Sequence, residues 1–342
     1  MKIRTKAPLR IGLAGGGTDV SPFCDIYGGC VLNATINMYA YCSLEETDDN
    51  HVVFVSKDID VSYSAELNAE YELDGVLTLH KAVYNRIVKD FNGGKPLPVK
   101  VTTWTDVPMG SGLGTSSTIV VAIISAYREY LNLPLGEYDV AQLAFDIERG
   151  DCNLSGGKQD QYAATFGGFN FIEFFSDNKV VVNPLRIKQS TIAELECRMF
   201  LYYTGVSRES AKIIDDQVKS VSKSDSKSSL NAMFDLKNAA IKMKEALLKS
   251  NIDEMINLIR MSWEAKKATS SAITTPHVNN IISRLEDSGV KALKLSGAGG
   301  GGFMLLFIEP EDRFLIENSL KEFDGKFYRF QFKNEGECSW KV

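Results

Sequence analysis

Residues Val99 to Leu131 constrain the fold most strongly. The alternating strand pattern VKVTTW runs into PMGSGLGTSST, and then into an apolar run from Ser117 to Leu131 at helical spacing that stops near Pro134. A strand that hands over to a helix through Gly110, Gly112 and Gly114 has bare backbone amides at the positive end of a helix dipole, an arrangement that attracts a polyphosphate. Thr115, Ser116 and Ser117 add hydroxyls. The lysine of a GxxxxGK[ST] loop is absent, and the spacing GxGxG is not the GxGxxG of dinucleotide-binding folds. Taken alone, such a cluster marks a turn more often than a ligand.

Two further glycine clusters stand near the ends of the chain, Gly15 to Gly17 in PLRIGLAGGGTD and Gly297 to Gly302 in KLSGAGGGGFMLLF. Gly297, Gly299 and Gly302 match GxGxxG formally, but a strand pattern follows where that motif needs a helix, so NAD is set aside. No HRD or DFG tripeptide occurs, which removes the eukaryotic-type protein kinases.

With 342 residues the chain is expected to form two packed lobes, divided where the composition changes around Asn183 to Ser190 into residues 1–185 and 186–342. In the first, Val31 to Ile36 and Val52 to Val55 read as strands, Val76 to Phe91 as an amphipathic helix, Asp139 to Arg149 as a helix capped by Asp139, and Gly168 to Phe175 as a strand. In the second, KSVSKSDSKSS (Lys219 to Ser229) reads as a mobile loop. Helices are expected at Leu230 to Lys249, at Ile252 to Lys267, from Thr275 and Pro276 to Asp287, and near Asp312 to Phe323. Strands are expected at Val290 to Leu295, Phe303 to Ile308 and Lys326 to Phe332. Strands and helices segregate, so the fold class is α+β.

The balance of 38 basic against 44 acidic side chains offers no basic face for nucleic acid. The longest apolar runs fall well short of the about 20 residues that cross a bilayer, and the N-terminus lacks a secretory pattern, so a cytoplasmic protein is expected. Six scattered cysteines and three histidines suggest neither a zinc site nor a disulfide framework, and Cys152 reads as a buried spectator thiol. No heptad pattern specifies an assembly, which leaves a homo-oligomer open.

PLRIGLAGGGTD, PMGSGLGTSST and KLSGAGGGGFMLLF together resemble, in order and spacing, the three motifs of the GHMP superfamily of small-molecule kinases, and they bracket nearly the whole chain. LAGGGTD and GGKQDQYAATFGGFNF are similar to the sugar-kinase branch that acts on heptose phosphates, with the fucokinases next. GlyGlyGly stands where galactokinases carry Gly-Glu-His, and Thr115 replaces the first serine of GSS, so galactokinase and mevalonate kinase are weak guides to the substrate.

The resemblance implies an N-terminal ribosomal S5 domain 2-like lobe, a C-terminal ferredoxin-like lobe and an active site in the cleft between them. It implies ATP and Mg2+, and phosphorylation of the anomeric hydroxyl of D-glycero-D-manno-heptose 7-phosphate to the 1,7-bisphosphate, a step toward nucleotide-activated heptose. An L-fucokinase is the alternative, and a non-catalytic sugar sensor the alternative of another class. Pro108, Gly110, Ser111, Gly112, Leu113, Gly114, Thr115, Ser116 and Ser117 would wrap the ATP phosphates, with Ser116 and Glu148 on the metal. Asp160 would be the general base, and Arg10 would pair with it and stabilise charge on the transferring group. Asp19, Gly16, Gly17, Thr18, Gly157, Lys158, Gly299 and Gly300 would receive the sugar. Lys6, Lys158, Arg186 and Arg208 are candidates for a distal substrate phosphate, and a side chain at Gly299 is expected to harm activity more than stability.

Overall fold

A computed structural model describes residues 1–206, 214 and 227–342. The first half of the chain runs β1 (Lys2–Ala14), α1 (Phe23–Tyr27), β2 (Gly29–Glu46), β3 (His51–Ser56), β4 (Val61–Glu66), α2 (Thr78–Phe91), β5 (Val99–Thr105), α3 (Thr115–Leu131), α4 (Glu137–Asp146), α5 (Gln159–Phe166), β6 (Phe169–Phe174) and β7 (Val180–Pro184). The second runs α6 (Gln189–Arg198), β8 (Met199–Tyr203), α7 (Lys227–Leu248), α8 (Ile252–Lys267), α9 (Pro276–Asp287), β9 (Ala292–Leu295), β10 (Phe303–Phe307), α10 (Arg313–Ser319), β11 (Lys326–Tyr328) and β12 (Cys338–Lys341).

Two sheets organise these elements. The larger has eight strands in the order β12-β1-β2-β5-β3-β4, with β6 and β7 continuing from the other half of β2. Only β3 and β5 run parallel in it. The smaller sheet is β11-β8-β10-β9, antiparallel throughout. Cys338–Lys341 pairs with β1, so the end of the chain returns to the larger sheet.

The register of β1 is what aims the first functional side chain. The β1–β2 pairing shifts between Pro8 and Arg10, where proline has no amide to give the ladder. Before the shift, Ile3 and Ala7 pack into the core beneath α3; beyond it, Leu9, Ile11 and Leu13 join a second core with Met243, Ile259 and Phe303 of the C-terminal half. Arg10 lies between them and points into a cleft. The helix α3 is buried on every side from Ser117 to Tyr127, which explains its unbroken apolar run and holds its N-terminus rigidly.

Most expected elements are present with shifted ends, and Ile252–Lys267 and Pro276–Asp287 fall as expected. Asp139 is not the cap of α4: Gly136 takes that position, and Asp139, three residues on, accepts from the Gly136 amide at 2.9 Å. The last helix is confined to Arg313–Ser319, and β11 ends at Tyr328. The polar stretch Lys219 to Ser229 lies outside the described residues except for 227–229, which open α7. Among the described residues no helix is long and apolar enough to cross a membrane.

Candidate active site

All three glycine-rich segments meet around one cleft of about 250 Å³. Gly110, Gly112 and Gly114 take positive φ values of 72°, 82° and 82°, and Gly114 is the N-cap of α3 with no side chain capping it. The first amides of α3 are therefore left for a ligand. The loop is held from both sides: the Arg10 amide donates to the Leu113 carbonyl at 3.2 Å and the Phe303 amide to the Ser111 carbonyl at 2.8 Å. Ser111 and Thr115 bond to each other through their hydroxyls at 2.9 Å, and Ser116 faces the cleft.

Asp160, in the first turn of α5, is held by Arg10. The guanidinium donates through Nε to Oδ1 at 2.7 Å, a second guanidinium nitrogen lies 2.6 Å from the same oxygen, and Nη1 donates to the Gly112 carbonyl at 2.8 Å. Arg10 is 3% exposed, so the pair works in a medium of low dielectric. Only Oδ1 is engaged by the arginine, and Oδ2 lies against Gly114, where a Cβ would come within 3.2 Å of it.

Asp19 also lines the cleft, and it accepts from the Gly17 amide and the Gln159 amide, each at 3.1 Å. Burial, with the charge of Asp160 adding to it, raises the Asp19 pKa above the usual carboxylate range. Gly157 is required beside it, since a Cβ there would collide with the Asp19 carboxylate. Arg149 braces the intervening loop by donating to the Leu154 and Gly157 carbonyls, both at 3.3 Å.

Glu148 sits one layer beneath, in a π-helical turn at Ile147–Asp151 of the kind that often marks a functional position. It is fully buried; Gln161 donates both to its Oε2 and to Ser117 Oγ, while Oε1 has no partner among the described residues. Burial raises its pKa. Cys152 nearby is half-buried rather than buried as expected, and its thiol is pushed up to about 12, chiefly by desolvation, which disfavours the nucleophilic thiolate.

Of the expected site residues, Arg10, Gly16, Gly17, Asp19, Gly110, Ser111, Gly112, Gly114, Thr115, Ser116, Ser117, Gly157 and Asp160 line the cleft. Pro108, Leu113, Thr18, Lys158, Gly299 and Gly300 do not, and Glu148 lies behind the wall. Leu113 packs in the second core. The Thr18 hydroxyl is taken by the Gly15 and Cys30 carbonyls, both at 2.8 Å. Lys158 turns away to Asn178 at 2.8 Å, above the Phe145 ring. Lys6 and Arg186 do not line the cleft either, and Arg208 is outside the described residues.

Gly300 donates its amide to the Ile273 carbonyl at 2.7 Å, and a Cβ on Gly299, whose φ is 113°, would approach that same oxygen within 2.9 Å. Gly299→Ala is therefore expected to cost about 1–3 kcal/mol of stability, with activity affected second. Urea unfolding midpoints set beside kcat of the folded fraction check this reversal of the expected order.

Two cations in the cleft escaped the sequence reading. Lys266 closes α8 and donates to the Gly297 carbonyl; Lys294, in β9, donates to the Leu13 carbonyl at 3.3 Å. The helix expected at Ile252 to Lys267 carries no sign that Lys266 is buried, whereas Lys294 has a signal, a lysine inside the expected strand Val290 to Leu295, whose segment ALKL is fully buried. Burial lowers Lys266 to about 8, with Arg10 adding to the effect, and lowers Lys294 to about 7, with Lys266 and Arg10 adding. Between pH 7 and 8.5 the unfolded chain keeps both protons and the folded one releases them, so the ligand-free protein gains stability as pH rises. Unfolding free energies at the two pH values should show about 1–2 kcal/mol of this gain lost in Lys294→Met.

Family models for the GHMP kinases N terminal domain and the GHMP kinases C terminal match residues 78–168 and 243–325. The chain is 46% identical to the D-glycero-alpha-D-manno-heptose 7-phosphate kinase of Campylobacter jejuni, across 99% of each chain. A crystal structure of a D-glycero-D-manno-heptose 1-phosphate kinase from Bacteroides thetaiotaomicron superimposes with a TM-score of 0.84 at 42% identity, covering 99% of both chains. The L-fucokinase/L-fucose-1-P guanylyltransferase of Bacteroides fragilis is 28% identical over 93% of this chain and 36% of its own length.

Proposed function

The chain belongs to the GHMP kinases and is an ATP-dependent sugar kinase, and from that premise we propose that it phosphorylates the anomeric hydroxyl of D-glycero-D-manno-heptose 7-phosphate to give the 1,7-bisphosphate. The observation that carries this reading is the contact between the two halves of the machinery: the Asp160 carboxylate lies on Gly114, the residue that opens the phosphate-facing helix.

In the proposed reaction the glycine loop and the α3 amides position the terminal phosphate of ATP. Asp160 takes the proton of the anomeric hydroxyl through Oδ2 while Arg10 holds Oδ1. The sugar oxygen bonds to the terminal phosphorus as the bond to the ADP oxygen breaks, and Arg10 offsets the charge on the transferring group. Asp19 and the Gln159 side chain, joined at 3.4 Å, form the wall that meets the sugar hydroxyls. A free thiol at each of the six cysteines and ATP as donor fit a cytoplasmic setting.

Magnesium suits the donors present. Glu148, one layer beneath the cleft wall, keeps one buried oxygen without a partner among the described residues, Ser116 and Ser117 line the cleft with hydroxyls, and no cluster of three or more His, Cys, Asp or Glu exists among the described residues to hold a cation alone. The remaining ligands would be phosphate oxygens and water, as Mg2+ prefers, and the ion would neutralise phosphate charge. Glu148→Gln is expected to raise the Mg2+ concentration for half-maximal rate by about 10–100-fold, read from a titration at saturating ATP.

The two relatives carry names that differ in the position of the acceptor's phosphate, 7 in one and 1 in the other. Incubating the protein with ATP and Mg2+ on heptose 7-phosphate, heptose 1-phosphate and L-fucose, with products read by phosphorus NMR, separates the readings. Fastest turnover of the 7-phosphate with a new anomeric phosphate signal is expected. Faster turnover of either other sugar overturns the assignment.

A further inference from the structure

The cleft contains more buried positive charge than the glycine loop and the Arg10–Asp160 pair account for. Arg10 is matched by Asp160. Lys266 and Lys294 are 7% exposed each, line the cleft from α8 and β9, and pair with no carboxylate within ion-pair distance among the described residues. Each ammonium makes one hydrogen bond to a described partner, a backbone carbonyl, and so has donors to spare. Two neighbouring ammonium groups taken out of water without counter-ions are costly to hold, and apolar side chains of similar volume would serve a purely structural role better.

We propose that Lys266 and Lys294 form a second phosphate subsite, distinct from the glycine loop, that binds the phosphate group already carried by the acceptor sugar. A phosphate dianion matches the two positive charges in number, and its oxygens can accept from both ammonium groups at once. The nucleotide phosphates have their own receptor in the amides of the glycine loop and α3. Lys266 and Lys294 line the same cleft as Asp19 and Gln159, the residues assigned to the sugar. The hold of Lys266 on the Gly297 carbonyl, together with the bond from Lys294 to the Leu13 carbonyl, fixes both heads between the first and third glycine-rich segments. The subsite supplies what would separate a sugar phosphate from a free sugar, whose hydroxyls alone leave both cations unpaired.

This assignment rests on the kinase reading of the cleft, and the test keeps the two apart. Full-length Lys266→Met, Lys294→Met and the double variant are compared with the wild type in three measurements. These are thermal unfolding without ligand, calorimetric binding of inorganic phosphate, of heptose 7-phosphate and of a nonhydrolysable ATP analogue with Mg2+, and steady-state kinetics. Without ligand, the variants should melt at or above the wild-type temperature. Affinity for inorganic phosphate and for the sugar phosphate should fall about 10–100-fold, and the sugar-phosphate KM should rise in parallel, with nucleotide affinity unchanged. Unchanged anion affinity overturns the proposal, as does a loss confined to the nucleotide or a drop in melting temperature with binding intact. Lysine-dependent binding of inorganic phosphate by a protein that fails to turn over the heptose phosphate supports the subsite while removing the proposed substrate.

Discussion

Asp160→Asn is expected to lower kcat by about 10²–10⁴-fold while nucleotide affinity stays near the wild-type value. Asparagine keeps the size of the side chain and an oxygen for Arg10, but it cannot take a proton. Because Arg10 is 3% exposed and loses the charge of its partner, a stability cost of about 1–2 kcal/mol should accompany the change; the partial exposure of Asp160 holds it below the cost of breaking a fully buried pair. Single-turnover kinetics beside nucleotide titration separate the two effects. A kcat within tenfold of wild type would remove Asp160 from the role of base and leave positioning and charge neutralisation as the whole of catalysis.

Gly112→Ala should be nearly as damaging, for a reason that lies in backbone geometry. At φ 82° an added Cβ is strained, and it would stand 2.6 Å from the Ser296 carbonyl oxygen, part of a segment that cannot swing aside as a side chain could. Either the glycine loop or the Ser296–Gly297 segment must move, and both line the cleft. A fall of about 2–4 kcal/mol in stability and at least about 100-fold in kcat/KM for ATP is expected. Gly94→Ala is the control: φ is 73°, no described residue lies within 4 Å of an added Cβ, and strain alone should cost about 1 kcal/mol with activity intact. If the two variants behave alike, the contact between the second and third glycine-rich segments has no part in nucleotide binding.

Much of the local structure is legible along the chain because it depends on short-range pattern. Ile252–Lys267 and Pro276–Asp287 follow from apolar spacing, with Thr275 accepting from the Val278 amide at 3.2 Å and a proline at the first helical position. The glycines of PMGSGLG read as a loop of bare backbone, and the structure adds that all three take positive φ. The strand β12 carries no comparable signal, and β8, although its run MFLYY is apolar and aromatic, is absent from the sequence expectations. They are short, and their partners lie far away in sequence: β12 pairs with β1 at the opposite end of the chain.

Side-chain direction was the weaker part of the sequence reading. Thr18 and Lys158 belong to the right segments, yet one hydroxyl ties down a turn and one ammonium crosses away to Asn178. Spacing places a residue in a loop; it does not say which way the loop faces. Lys266 and Lys294 show the reverse, since neither sits in a turn that invites a ligand, and both reach the cleft because α8 packs against β1 and β9 packs against α8.

By itself, then, the sequence determined the three glycine-rich motifs, the family they resemble, and the identity of an acid paired with a base, because backbone freedom and chemical type are local properties of residues. Only the tertiary structure decided that Arg10 grips one oxygen of Asp160 and leaves the other beside Gly114, that Glu148 lies beneath the wall, and that two lysines bring unmatched charge into the same cleft. Those facts depend on contacts between separate segments of the chain, Arg10 and Asp160 standing 150 positions apart, set by the packing of the two sheets around a shared core, and local pattern carries no record of them.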